Sequence, residues 1–116
     1  MLRMIVTASI VGLAGAALAD TLELDLPGSV ERQSVTYSCS DGAERTAEYI
    51  NVGQSNSLAL IEIEGETLVF VNVLSGSGAR YAARQYIWWD AQNAVTFTDE
   101  TAGEGAKPVT CQEKKA

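Results

Sequence analysis

Ser57-Leu-Ala-Leu-Ile-Glu-Ile-Glu-Gly-Glu-Thr-Leu-Val-Phe-Val-Asn-Val-Leu74 decides the fold. Two short apolar runs, Ser57–Ile63 and Thr67–Leu74, flank Glu64-Gly65-Glu66, a tight hairpin signal. Both runs carry apolar residues on each face. The switch from Leu58 and Leu60 to Ile61 and Ile63 predicts a bulge in the first of them.

Outward from this hairpin the same grammar repeats. Upstream, Gln33–Cys39 alternates cleanly, with Val35, Tyr37 and Cys39 on one face and Ser34, Thr36 and Ser38 on the other. Asp41-Gly42 is a turn pair, and Arg45–Asn51 reads as the next strand, followed by a loop over Gly53–Asn56. Downstream, a Gly/Ser loop spans Ser75–Gly78, and short strands are expected over Ala79–Ala83, Tyr86–Trp89, Ala94–Thr98 and Pro108–Cys111. Turns are expected over Asp90–Asn93, with a flexible loop over Ala102–Gly105. About eight short strands without a helical period call for an all-β fold, an antiparallel barrel or a sandwich; a barrel has the merit of leaving no open edge.

The chain begins with a different kind of segment. Arg3 precedes an apolar run, Met4–Ala17, and Ala17-Leu18-Ala19 is a small-x-small cleavage site. Residues 1–19 read as a secretory signal peptide, with an uncleaved anchor as the competing reading. No cysteine follows the run to receive a lipid, so the expected mature protein carries no membrane anchor. Residues 20–31 are expected to be an irregular lead-in broken by Pro27-Gly28, and residues 32–116 the single β domain. Cleavage would leave seven of the eight basic residues and all fifteen acidic ones, a net charge of about −8. Such a surface repels phosphate and argues against nucleic acid; it would steer a cationic partner, or it only keeps the protein soluble. In an oxidising compartment Cys39 and Cys111 are expected to form a disulfide, with free thiols as the alternative.

Candidates for chemistry are few. Histidine is absent, which removes imidazole bases, Ser-His and Cys-His pairs and histidine metal sites. Glu62, Glu64 and Glu66 read as the solvent side of a hairpin in preference to an acid pair. Asp99, Glu100 and Glu104 lack the spacing of a calcium loop. No catalytic residue, metal or cofactor is expected. Arg80 and Arg84 offer cations near the Gly/Ser loop. Trp88 and Trp89 are adjacent, so one faces the core and the other the outside, where it marks a contact or packs under a loop.

Tyr37-Ser-Cys39, Tyr49-Ile-Asn51, Ser77-Gly-Ala-Arg-Tyr81, Tyr86-Ile-Trp-Trp89 and the closing Cys111 form an ordered series. It resembles the membrane-bound or periplasmic inhibitors of C-type lysozyme, and the lack of a lipid-attachment cysteine resembles the periplasmic branch. The resemblance implies an eight-stranded antiparallel barrel closed by a Cys39–Cys111 disulfide, and a periplasmic protein that inserts a loop into the acidic cleft of lysozyme. Ser77 would donate to a catalytic carboxylate there, with Gly78, Arg80, Tyr81, Trp89, Asp90 and Ala91 forming the rest of the partner-binding surface. One departure stands out. The family pattern Trp-Trp-x-Lys-Gly places its lysine at Ala91 and its glycine at Gln92. The same barrel binding a different periplasmic partner is therefore the second expectation.

Overall fold

The computed structural model describes residues 20–115. The leader read over residues 1–19 lies outside the described residues. Eight strands form one closed antiparallel barrel in which each strand pairs with its sequence neighbours and β8 returns to β1. They are β1 (Val30–Cys39), β2 (Glu44–Val52), β3 (Asn56–Ile63), β4 (Glu66–Val73), β5 (Ala79–Ala83), β6 (Tyr86–Ala91), β7 (Ala94–Asp99) and β8 (Val109–Glu113). The β2–β3, β4–β5 and β6–β7 turns gather at one rim, called the upper rim below, and the remaining turns at the lower rim.

Strand alternation sorts the side chains. Tyr37, Ala47, Ala59, Ile61, Phe70, Tyr81, Tyr86, Trp88, Val95 and Phe97 face inward and form one core. The interior polar atoms find each other: the Trp88 indole N–H donates to the Tyr49 hydroxyl at 2.9 Å, and the Tyr49 and Tyr37 hydroxyls are 2.7 Å apart. A buried Trp or Tyr without such a partner costs the desolvation of its polar atom, so this chain of three removes a penalty from the core. At the lower rim Arg45 pairs with both carboxylate oxygens of Asp41 and lays its guanidinium over Phe97, 4.8 Å from the ring centroid.

The β1–β8 seam is short: its register runs Tyr37↔Glu113, Ser38↔Gln112 and Cys39↔Cys111. The Cys39–Cys111 disulfide is formed directly across this seam, between residues 72 apart in sequence. In the chain-entropy view such a closure stabilises the fold by about 4 kcal/mol.

Three expectations are corrected. β3 carries no bulge; it pairs without interruption from Leu58↔Val71 to Ile63↔Glu66 on one side and from Ala47↔Ile61 to Val52↔Asn56 on the other. Ala59, Ile61 and Ile63 face the core, and Leu58 and Leu60 face out in ordinary alternation. Their outward apolar character has a different cause. Together with Ile50 and Val52 they line a shallow groove that Leu22, Leu24 and Leu26 of the lead-in also line. Residues 20–29 contain no helix or strand, but their end is fixed: the Gly53 N–H donates to the Ser29 carbonyl at 2.9 Å. A Cβ on Gly28 would stand 2.4 Å from Gly53 Cα, so only two glycines allow this approach. Second, β1 starts at Val30, inside the stretch read as lead-in. Third, Asp90 and Ala91 belong to strand β6 and not to a turn; Gln92-Asn93 alone connects Ala91 to Ala94.

Candidate functional site

The upper rim brings together most of the residues singled out from sequence. β4 ends at Val73 and β5 begins at Ala79, leaving Leu74–Gly78 as a projecting loop. Ser77 sits on it with its side chain exposed. Serine and glycine suit a segment that must turn without an apolar face to bury.

The loop is braced from three directions. Within it, the Ser75 hydroxyl donates to the Gly78 carbonyl at 3.1 Å. From the outer wall, the Trp89 indole N–H donates to the Ser77 carbonyl at 2.9 Å. From the rim, Gly78 rests on the end of β6, where a Cβ would lie 2.3 Å from the Asp90 carbonyl oxygen and 2.7 Å from Ala91 Cβ. Gly78 also has φ +66°, a conformation that glycine adopts without the steric cost other residues bear. The Ser77 loop and the end of β6 are therefore one packed unit.

Trp88 and Trp89 divide as adjacent strand residues must. Trp88 is fully buried, and Trp89 lies outside against the loop. Arg80 is the cross-strand partner of Trp89, and its guanidinium carbon is 5.9 Å from the Trp89 ring centroid. Tyr81 departs from its expected surface role. It is 6 % exposed, and its ring lies 5.7 Å from that of Tyr49, so it anchors the start of β5 in the core. Arg84 is not a companion of Arg80 either: it occupies the lower-rim β5–β6 turn and pairs with Glu66 at 3.3 Å.

Asp90 shares the inward parity of Tyr86 and Trp88, at the mouth of the barrel. Burial, with the Glu113 charge adding to it, raises its carboxyl above the ordinary range. Burial likewise raises the phenols of Tyr37, Tyr49 and Tyr81, and the Asp90 charge pushes each the same way. Tyr37, Asp90, Asn93 and Glu113 line a cleft of about 520 Å³ beside the loop. Glu62 and Glu64 lie elsewhere, on an outer groove with Glu44, Arg45 and Glu48. No set of three or more potential metal ligands occurs among the described residues.

Two residues of this rim escaped the sequence reading. Leu74 is 93 % exposed at the start of the loop, a large apolar side chain in open water. Its position directly before the Gly/Ser run was the available signal. Asn72 donates its side-chain N–H to the Arg80 carbonyl at 3.2 Å and so steadies β5 beside the loop; nothing in the sequence marks that contact.

Residues 37–105 match the family described as membrane-bound lysozyme-inhibitor of c-type lysozyme. The chain is 42 % identical over 100 residues to the membrane-bound lysozyme inhibitor of C-type lysozyme from Pseudomonas aeruginosa, a match spanning 84 % of this chain and 78 % of that protein. The protein of the same name from Cupriavidus necator is 34 % identical over 84 residues, 71 % of this chain and 66 % of its own length. Among solved structures, Pseudomonas aeruginosa MliC in complex with hen egg white lysozyme superposes with a TM-score of 0.71 at 39 % identity, over 84 % of this chain and 98 % of the other.

Proposed function

This chain belongs to the family of membrane-bound lysozyme inhibitors of C-type lysozyme, and from that premise we propose that it inhibits a C-type lysozyme on the periplasmic side of the envelope by presenting the Ser77 loop to the enzyme's acidic cleft. The family acts by binding and not by turnover. The observation that carries the reading is a loop that projects from a closed barrel and is nonetheless held rigid, by Ser75, Trp89 and the Asp90–Ala91 backbone. Pre-ordering a loop removes much of the entropy that binding would otherwise cost. The Ser77 hydroxyl is then an exposed donor for a carboxylate, and a hydrogen bond to a charged acceptor is stronger than one between neutral groups. The formal charge of −7 attracts a cationic enzyme at long range and speeds encounter.

Lysis of bacterial cell walls by hen egg white lysozyme, followed as turbidity, tests this directly. Inhibition is expected, and Ser77→Ala is expected to weaken it by about tenfold, the worth of one hydrogen bond to a charged group. Absence of inhibition at about 10 µM, a binding free energy near 7 kcal/mol, overturns the reading.

Ala91 favours a second reading, in which the same barrel serves a different periplasmic partner. Ala91→Lys would then create or greatly strengthen lysozyme binding in calorimetry. If the unaltered protein binds as tightly as the lysine variant, the second reading fails.

A further inference from the structure

Four of the seven basic residues among the described residues sit in ion pairs. Arg32, Arg45, Arg84 and Lys114 pair with Glu48, Asp41, Glu66 and Glu44. Lys107 lies on the β7–β8 loop at the lower rim, and Lys115 lines the cleft that holds Asp90 and Glu113. Arg80 forms no ion pair among the described residues, although fifteen acidic side chains are present in the sequence. It is also the arginine that flanks the Ser77 loop.

Its placement is not that of a loose surface side chain. The guanidinium lies over the Trp89 indole, within the roughly 6 Å at which a cation is attracted by a ring face. The same indole is tied through its N–H to the Ser77 carbonyl, and the Arg80 carbonyl accepts from Asn72. Loop, indole and guanidinium therefore adjoin one another. Among the described residues no ion pair engages the Arg80 guanidinium, which keeps the fork of N–H donors that matches a carboxylate.

We propose that Arg80 is a carboxylate-binding residue of the docking surface: it takes an acidic side chain of the partner, bidentately, beside the pocket that Ser77 enters. This rests on the reading of the protein as a lysozyme inhibitor and assigns a second point of attachment to it. Asp and Glu side chains at the rim of the partner's cleft are the chemistry Arg80 recognises, and Trp89 is the positioning residue that aims it.

The sign of the charge effect makes the test sharp. The chain is acidic and its partner cationic, so removing any positive charge should strengthen long-range attraction. A local carboxylate contact predicts the opposite at this one position. Calorimetric titration of hen egg white lysozyme with Arg80→Gln, Arg80→Lys and Arg84→Gln compares them. Arg84→Gln makes the same charge change at the far rim. It is expected to bind as tightly as the unaltered protein or more so. Arg80→Gln is expected to bind at least about tenfold more weakly, and Arg80→Lys to recover part of the loss, because an ammonium keeps the charge and loses the fork. If Arg80→Gln binds as Arg84→Gln does, the inference is overturned while the inhibitor reading stands. If the unaltered protein does not bind at all, both are overturned.

Discussion

The indole nitrogen of Trp89 donates to the Ser77 carbonyl at 2.9 Å, so a side chain on the outer wall of the barrel fixes the height of the loop above its rim. Trp89→Phe retains an aromatic ring beside Arg80 and deletes the N–H donor. Thermal unfolding should change little, because the bond is exposed. Lysozyme affinity should fall by about fivefold, the net worth of one neutral hydrogen bond, and should fall through faster dissociation. Combined with Ser77→Ala the losses should be less than additive, since both variants act on one loop. Surface plasmon resonance of the two single variants and the double variant measures this.

Gly78 sits in left-handed backbone with no room for a methyl group between it and the Asp90–Ala91 backbone. Gly78→Ala should destabilise the domain by about 2–3 kcal/mol in urea unfolding, from backbone strain and displaced packing together. Gly76, two residues earlier in the same loop, has nothing within 4 Å of an added Cβ and serves as the matched control. Gly76→Ala should leave stability within about 0.5 kcal/mol.

Gln92 occupies the position where the resembling family carries glycine, and its φ is +57°. That backbone region suits glycine better than a residue that carries a Cβ. Gln92→Gly should therefore raise stability by about 0.5–1 kcal/mol, the strain relieved being partly offset by the greater freedom of glycine in the unfolded chain. A shift in the urea midpoint at constant slope would record it.

Asp90 sets one pH dependence. Its folded carboxyl titrates above the ordinary 3.8, chiefly because it is partly buried, so ionising it disfavours the fold. The folded state then holds its proton more tightly than the unfolded chain does. The penalty is complete above the folded value, declines as pH falls through it, and is gone below 3.8. Asp90→Asn should be more stable than the unaltered protein at neutral pH, and the two should converge on acidification. Asp41 runs the other way: its hydrogen bonds to Arg45 lower its carboxyl, and that stability is lost as pH falls through the lowered value. Unfolding curves of both proteins between neutrality and about pH 3 separate the two effects.

The fold was readable because alternation is a strong signal wherever one face is buried. Val35, Tyr37 and Cys39 announced β1, and Ala79–Ala83 was bounded correctly. The reading failed where a second hydrophobic surface intruded. Leu58 and Leu60 looked like a bulge because an outward-facing leucine pair violates the simple inside-outside rule, and the cause, the lead-in beside them, is remote in sequence. The site was legible as a set of residues and not as a mechanism of support. Ser77, Arg80, Trp89, Asp90 and Ala91 do converge, and an outer tryptophan packed under a loop was one of the two readings of the Trp pair, but the indole-to-carbonyl bond itself, the Asn72 contact and the glycine seat were not legible. Tyr81 was assigned to the surface because its motif neighbours are there, whereas strand parity, available from Trp88 across the ladder, sends it inward.

The lead-in has a practical consequence for anyone shortening the protein. A fragment begun at Arg32, where clean alternation invites the cut, would lose Val30 and Glu31 from β1 and strip Leu22, Leu24 and Leu26 from the groove they share with Ile50, Val52, Leu58 and Leu60. Val69 and Val71 already lie open on the neighbouring strand, paired in register with Leu60 and Leu58. The freshly bared leucines would merge with them into a single greasy panel, wide enough to glue molecules together in the tube. Solution behaviour of this protein thus depends on a dozen residues that lie outside its core.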